Sequence, residues 1–157
     1  MPPSSLAGAM PRRCSTLFVL PIVKSKSMRE LLFVFLGGGI GSVFRYGINL
    51  FQTHLSLNPI STLGQTIFPW PTMVANVLGC VLIGFFYSVS ERTGMSPEMR
   101  LFLTTGLCGG FTTFSTFSNE GIDLLRGGHP GLFAAYFLLT LALGLGAVLL
   151  GAWLGGK

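Results

Sequence analysis

Charge is scarce in this sequence: Asp, Glu, Lys and Arg make up 10% of its 157 residues, and five of these residues are acidic. Five carboxylates and two histidines leave little material for acid–base chemistry. There is no Ser-His-Asp or Cys-His set, no pair of carboxylates inside one plausible cleft and no cluster at metal-ligand spacing, so an enzyme is not expected. The apolar segments hold no carboxylate or histidine in their central thirds, which argues against a proton relay of the kind coupled transporters need. Cysteine is also sparse. Cys14, Cys80 and Cys108 are odd in number, and two of them lie in apolar runs. They suggest no disulfide framework or zinc spacing and read as free, small apolar residues. His54 stands alone and reads as a surface residue rather than a metal ligand. The net charge of +5 is no sign of nucleic-acid binding, because Arg12, Arg13, Lys24 and Lys26 all precede Met28 and the remainder is nearly neutral.

What is present is apolar length. Half of the residues are hydrophobic and 22 are glycine, the composition of an integral membrane protein whose helices pack through small side chains. The length suits one domain. Residues 1–27 mix Pro, Ser and basic residues around a short apolar run from Thr16 to Val23. Pro21 interrupts that run and no clean cleavage site follows. The segment is expected to be a flexible basic tail, or an extension from an upstream start, since Met28-Arg29-Glu30 leads directly into an apolar segment. Residues 28–157 form the membrane domain, with spans expected at about 31–51, 72–90, 101–119 and 131–154, each near the 20 or so residues that cross a bilayer. A proline-punctuated loop of about 18 residues with a short helix separates the first two, and Trp70 fits an interfacial anchor. Ser96-Pro97-Glu98 has the form of a helix start, with Ser as N-cap and Pro in the first turn.

The third span carries the unusual stretch, Gly106 to Gly121. Phe111, Phe114 and Phe117 recur every third residue, which on one continuous helix makes an aromatic stripe. Thr112, Ser115 and Ser118 form a second stripe, and Thr113 and Thr116 a third. Gly109-Gly110 weakens the helix, and a break there would free backbone groups to meet a ligand. Polar groups in hydrocarbon must be buried in protein or line a polar path, and a helix broken in mid-membrane marks an ion or substrate site. Asn76 is the one strongly polar side chain of the second span. It either bonds across a helix interface or donates to a passing anion. Tyr136 and Thr140, at i and i+4, share a face of the fourth span. Arg45 lies deep in the first span, where a cation must snorkel, pair or face water. Glu120 and Asp123 fall at a membrane edge and read as solvated. GGGIG at Gly37 to Gly41 follows no strand and is not a nucleotide loop. Positive ring edges together with hydroxyl and amide donors suit an anion, without naming which one.

GGGIGSVFRY (Gly37–Tyr46), VANVLG (Val74–Gly79) and GLCGGFTTFSTFSNE (Gly106–Glu120) together resemble the signature sequences of the Fluc/CrcB fluoride channels, and the resemblance runs from Met28 to the C-terminus. It implies an all-α membrane protein of four helices with the third broken, assembled as an antiparallel, dual-topology homodimer with two fluoride pores. It further implies Asn76, Phe114, Phe117, Ser115, Thr116, Tyr136 and Thr140 as pore lining; Gly144 falls one turn further on, where a hydroxyl residue can occur in the family, so a shorter track is expected here. A structural Na⁺ at the dimer centre would be held by the backbone carbonyls of Gly109 and Thr112, and Arg45 and Glu120 correspond to vestibule positions. The implied function is passive, fluoride-selective efflux that protects against fluoride toxicity, from a multi-pass protein of the plasma membrane, expected to be a bacterial inner membrane. A small multidrug-type exporter, the competing four-span class, would need a glutamate inside its first span, where only Glu30 stands, at the edge. A non-conducting scaffold would leave the TTFSTF run unexplained.

With four spans, Arg29, Arg92, Arg100 and Lys157 fall on one side and Arg126 and Arg45 on the other, a weak bias compatible with dual insertion. Counting the basic tail raises the bias to eight against two and favours termini inside. A paralogous partner of opposite orientation would then complete a heterodimer.

Overall fold

The computed structural model of the chain describes residues 27–54 and 68–157, with side chains from Met28 to Phe51 and from Phe68 onward. The tail before Ser27 with Cys14, the loop helix expected between Gln52 and Pro71, and the side chain of His54 lie outside the described residues. All regular structure among the described residues is helical. Helix α1 runs Ser27–His54, α2 Trp70–Thr93 and α3 Pro97–Leu101. α3 continues as a π-helical stretch, Phe102–Cys108, and then as a single turn, α4, Gly109–Phe111. α5 spans Phe114–Arg126 and α6 Pro130–Gly155. Three helices, within Met28–Phe51, Trp70–Thr93 and Pro130–Gly155, are long and apolar enough to cross a bilayer.

Local sequence explains most ends. α2 stops at Gly94, which takes the left-handed conformation (φ 63°) and returns its N–H to the Ser90 carbonyl. Ser96 caps α3 by accepting the Met99 N–H at 3.3 Å, with Pro97 in the first turn. Gly128, at φ 76°, turns the chain toward Pro130 at the start of α6.

Glycine then decides which helices touch. A Cβ placed on Gly37 would fall on the Phe102 carbonyl oxygen, one on Gly41 on that of Leu107, and one on Gly110 on that of Gly38. Similarly, a Cβ on Gly84 would meet the Val148 carbonyl, and one on Gly151 that of Val81. Backbone against backbone is the contact that small residues permit in membranes. These partners also give direction. As α1 advances from Gly37 to Gly41, its neighbours advance from Phe102 to Phe111, so the two run parallel. α2 and α6 are parallel by the same reading, from Cys80 beside Gly144 to Phe85 beside Gly155. Against α2 the third segment is antiparallel: Gly79 faces Thr112, Asn76 bonds Thr113, and Thr72 bonds Glu120. That order persists across the interruption, so the chain keeps its heading there.

The interruption itself departs from expectation. Gly109 and Gly110 are helical, and the non-helical residues are Thr112 and Thr113. Gly110 lies against Gly38 and leaves no room for a side chain, so its smallness serves packing rather than bending. The stripe of three phenylalanines is divided as well. Phe111 ends α4 and is buried beside Gly79, whereas Phe114 and Phe117 belong to α5.

Candidate functional site

Thr113 organises the site. Its backbone is extended (φ −151°, ψ 114°), so its N–H has left the helix ladder, while its C=O, as the N-cap carbonyl, opens the ladder of α5. Asn76 takes up both: Oδ1 accepts the Thr113 N–H at 2.8 Å, and Nδ2 donates to the Thr113 carbonyl at 3.3 Å. A carboxamide is the side chain that offers one acceptor and one donor at this spacing. The Thr113 hydroxyl in turn caps α5, accepting the Thr116 N–H at 3.2 Å and donating to Thr116 Oγ1 at 3.0 Å. Ser115 Oγ stands 3.3 Å from Thr113 Oγ1. Of the two residues that make the bend, Thr112 bonds locally, its hydroxyl donating to the Cys108 carbonyl at 3.0 Å.

The interruption frees the carbonyls of Gly109, Gly110, Phe111 and Thr112 from their i+4 donors, and side chains take two of those donors. In an unbroken helix the Thr113 N–H would bond to Gly109, and the Thr116 N–H to Thr112. Asn76 and the Thr113 hydroxyl take those donors instead. Gly109 and Thr112 therefore carry backbone oxygens without their i+4 helical partners.

Beside the interruption lies a cavity of about 370 Å³ between α2, the third segment and α6. Asn76, Gly109, Thr112, Phe114, Phe117 and Thr140 contribute to its wall, and no residue of its lining is charged. Phe114 is 75% exposed and forms a rim. Phe117 is 3% exposed, stacked on Phe137 at 5.3 Å and tilted against Tyr136 at 4.9 Å. The Phe114 and Phe117 rings are 5.9 Å apart. Thr140 Oγ1 is buried in the wall without a hydrogen-bond partner among the described residues.

Other sequence-selected residues stand apart from the cavity. Ser115 and Thr116 are exposed in the cap of α5. Tyr136 is fully buried, and its hydroxyl donates to Glu120 Oε2 at 2.8 Å. Thr72 donates to Glu120 Oε1 at 2.7 Å. Glu120 is thus half-buried and held from two helices, not solvated as its position at the segment's exit suggested. Thr72 and Thr113 escaped the sequence reading as site residues. The preference for threonine at an N-cap is the one signal that could have exposed Thr113. Thr72 carries no comparable signal. Arg45 is half-exposed on α1, one turn beyond Gly41, and forms no ion pair among the described residues. The described residues contain no group of three His, Cys, Asp or Glu able to hold a metal.

Apolar helices joined through glycine, bordering an uncharged and mostly apolar cavity that a few hydroxyl and amide groups reach, define a helical membrane protein. The family model for CrcB-like protein, Camphor Resistance (CrcB), matches residues 32–152, and the chain belongs to that family. Curated relatives named fluoride-specific ion channel FluC are similar over nearly their whole length. The protein of Bacteroides fragilis is 49% identical over 128 residues, 82% of this chain and 97% of the relative. That of Phocaeicola vulgatus is 47% identical over 81% of this chain and 98% of the relative. For Thermus thermophilus the values are 43%, 82% and 97%.

Proposed function

We propose that this chain is a passive fluoride-selective channel of the cell membrane, one that lets cytoplasmic fluoride leave down its electrochemical gradient. The observation that carries the reading is an uncharged, mostly apolar cavity beside an interrupted helix, with Asn76, Thr112 and Thr113 in its lining, in a chain whose relatives are named as fluoride channels. A small, strongly hydrated anion needs several donors to replace water, and the absence of fixed positive charge lets it leave again. The second Nδ2 hydrogen of Asn76 and the hydroxyl of Thr140 are donors available at the wall. Stacking engages the faces of Phe117, which leaves its positive edge to meet an anion. Phe114 supplies a second ring at the rim. Ser115, Thr116 and Tyr136 extend the path beyond the cavity, and Arg45 and Glu120 flank its mouths.

Four crossings fit the packing directions: α1 is parallel to the third segment, α2 is parallel to α6, and α2 is antiparallel to the third segment. The third crossing is then the broken run from Pro97 to Arg126, within a domain formed by residues 28–157. The exposed rim at Phe114 calls for a second copy to close the path, in an antiparallel dual-topology homodimer. A paralogous partner takes that place if the basic tail fixes orientation. A structural Na⁺ would be held by the Gly109 and Thr112 carbonyls, one pair from each subunit. Neutral oxygens released from helix bonding suit a hard monovalent cation, whose charge favours an anion nearby. The inner membrane of a bacterium is the proposed location.

Fluoride release from liposomes containing the purified protein tests the function, with a potassium ionophore to dissipate charge and chloride-loaded vesicles as control. Rapid fluoride release without chloride release is expected. Equal release of both ions would sink the selectivity, and no release from dimeric protein would sink the channel.

A further inference from the structure

Two thiols have no part in this reading. Cys80 on α2 and Cys108 at the end of the π-helical stretch are both free, and both line the cavity. They come from different elements that the bundle sets face to face. α2 and the third segment pass antiparallel, with Asn76 on Thr113 and Gly79 against Thr112. Cys80 is the next residue along α2, and Cys108 lies one turn before Thr112, so the cysteines hold facing positions across one wall. Cys108 is 1% exposed, and Cys80 is half-buried. A Cβ placed on Gly144 would lie 3.5 Å from Cys80 Sγ, so this sulfur sits where α2, α6 and the cavity meet. Ile83, Leu141, Leu145 and Val148 add apolar surface to the same cavity. Hard cations such as Ca²⁺ and Mg²⁺ need oxygen ligands in number. Two sulfurs in an apolar cleft, with little water to compete, select a soft cation.

We infer that Cys80 and Cys108 form a two-thiol site for a soft d¹⁰ cation of the class of Hg(II), Ag(I) and Cu(I), and that its occupancy plugs the cavity. For neutral HgCl₂ the step is ligand exchange. Two Hg–Cl bonds break and two Hg–S bonds form, the two thiol protons pass to water, the chlorides leave, and no electron is transferred. The plugging rests on the channel reading; the metal site does not.

The test uses HgCl₂ on the reconstituted full-length chain carrying Cys14→Ser, because that third thiol would bind mercury by itself. After washing with a monothiol competitor, one mercury per chain is expected by elemental mass spectrometry, with both remaining thiols protected from maleimide. Fluoride release should fall to the level of protein-free liposomes and return on adding dithiothreitol. Cys80→Ala and Cys108→Ala should each lose the wash-resistant mercury and the block. Where an alanine variant fails to elute as the unmodified protein does, the serine variant replaces it. Two mercury atoms per chain, or retention by either single variant against the same competitor, would overturn the shared site. One retained mercury with undiminished fluoride release would overturn the plug.

Discussion

Asn76→Ala removes both bonds that hold Thr113 outside the helix ladder. Each such bond contributes about 1 kcal/mol net, and a buried amide left without an acceptor adds about 1–3 kcal/mol. The Thr113 N–H qualifies, because in its extended conformation the Gly109 carbonyl is no longer its partner. The expected loss is about 3–5 kcal/mol, which for a chain of this length lowers the melting midpoint by roughly 6–20 °C. Asn76→Asp separates the bridge from the conduction role. It keeps the acceptor for the Thr113 N–H but sets an oxygen against the Thr113 carbonyl where Nδ2 now donates at 3.3 Å. It also places negative charge in a wall that holds none. Both variants should melt earlier, and Asn76→Asp should in addition block fluoride in protein that still assembles. Midpoints come from gel-filtration-monitored heating in detergent, and throughput from liposome release scored per assembled protein. An Asn76→Ala midpoint equal to that of the unmodified chain would show that the bend needs no amide bridge. Normal throughput in Asn76→Asp would remove Asn76 from the lining.

The two α5 phenylalanines should part company. Phe114→Ile, at an exposed rim, should cut fluoride flux with the midpoint nearly unchanged, whereas Phe117→Ala should cost about 3–5 kcal/mol by emptying a stacked core position; equal stability of the two variants would contradict the packing. Gly151→Ala drives a methyl into the Val81 carbonyl and should destabilise by about 1–3 kcal/mol or more, while Gly146→Ala meets nothing within 4 Å and should be neutral or mildly stabilising in the same melt. Replacing Na⁺ by a bulky organic cation throughout purification should weaken the dimer and slow fluoride release together, and an unaffected dimer would remove Gly109 and Thr112 as cation ligands.

Much of the architecture was legible because a membrane-length apolar run is a signal carried entirely by its own contiguous residues. The helix start at Ser96-Pro97 was readable from its own few residues. What composition could not place was the interruption. Gly109-Gly110 is the weakest helical dipeptide in its segment, and propensity alone puts the break there. The fold instead uses Gly110 to bring the third segment onto Gly38, a constraint set 72 residues away. The break moves to the first place where a neighbouring helix offers a donor and an acceptor together, and that place is decided by Asn76.

The same reasoning accounts for Glu120. Read along the chain, a carboxylate followed by Asp123 and Arg126 belongs to a solvated helix exit. Read across the bundle, it meets Thr72 from α2 and Tyr136 from α6, and their two hydroxyls stand in for water at 2.7 and 2.8 Å. Neither hydroxyl signals this from its own surroundings, since each lies in a segment apolar enough to conceal its partner. In an apolar segment a polar residue marks itself as out of place, but the partner that justifies it is supplied by another helix. Asn76 with Thr113 and Glu120 with Tyr136 are two instances of that rule. Thr140, whose hydroxyl has no partner among the described residues, is the position where the rule points outward, to an ion or to a second chain.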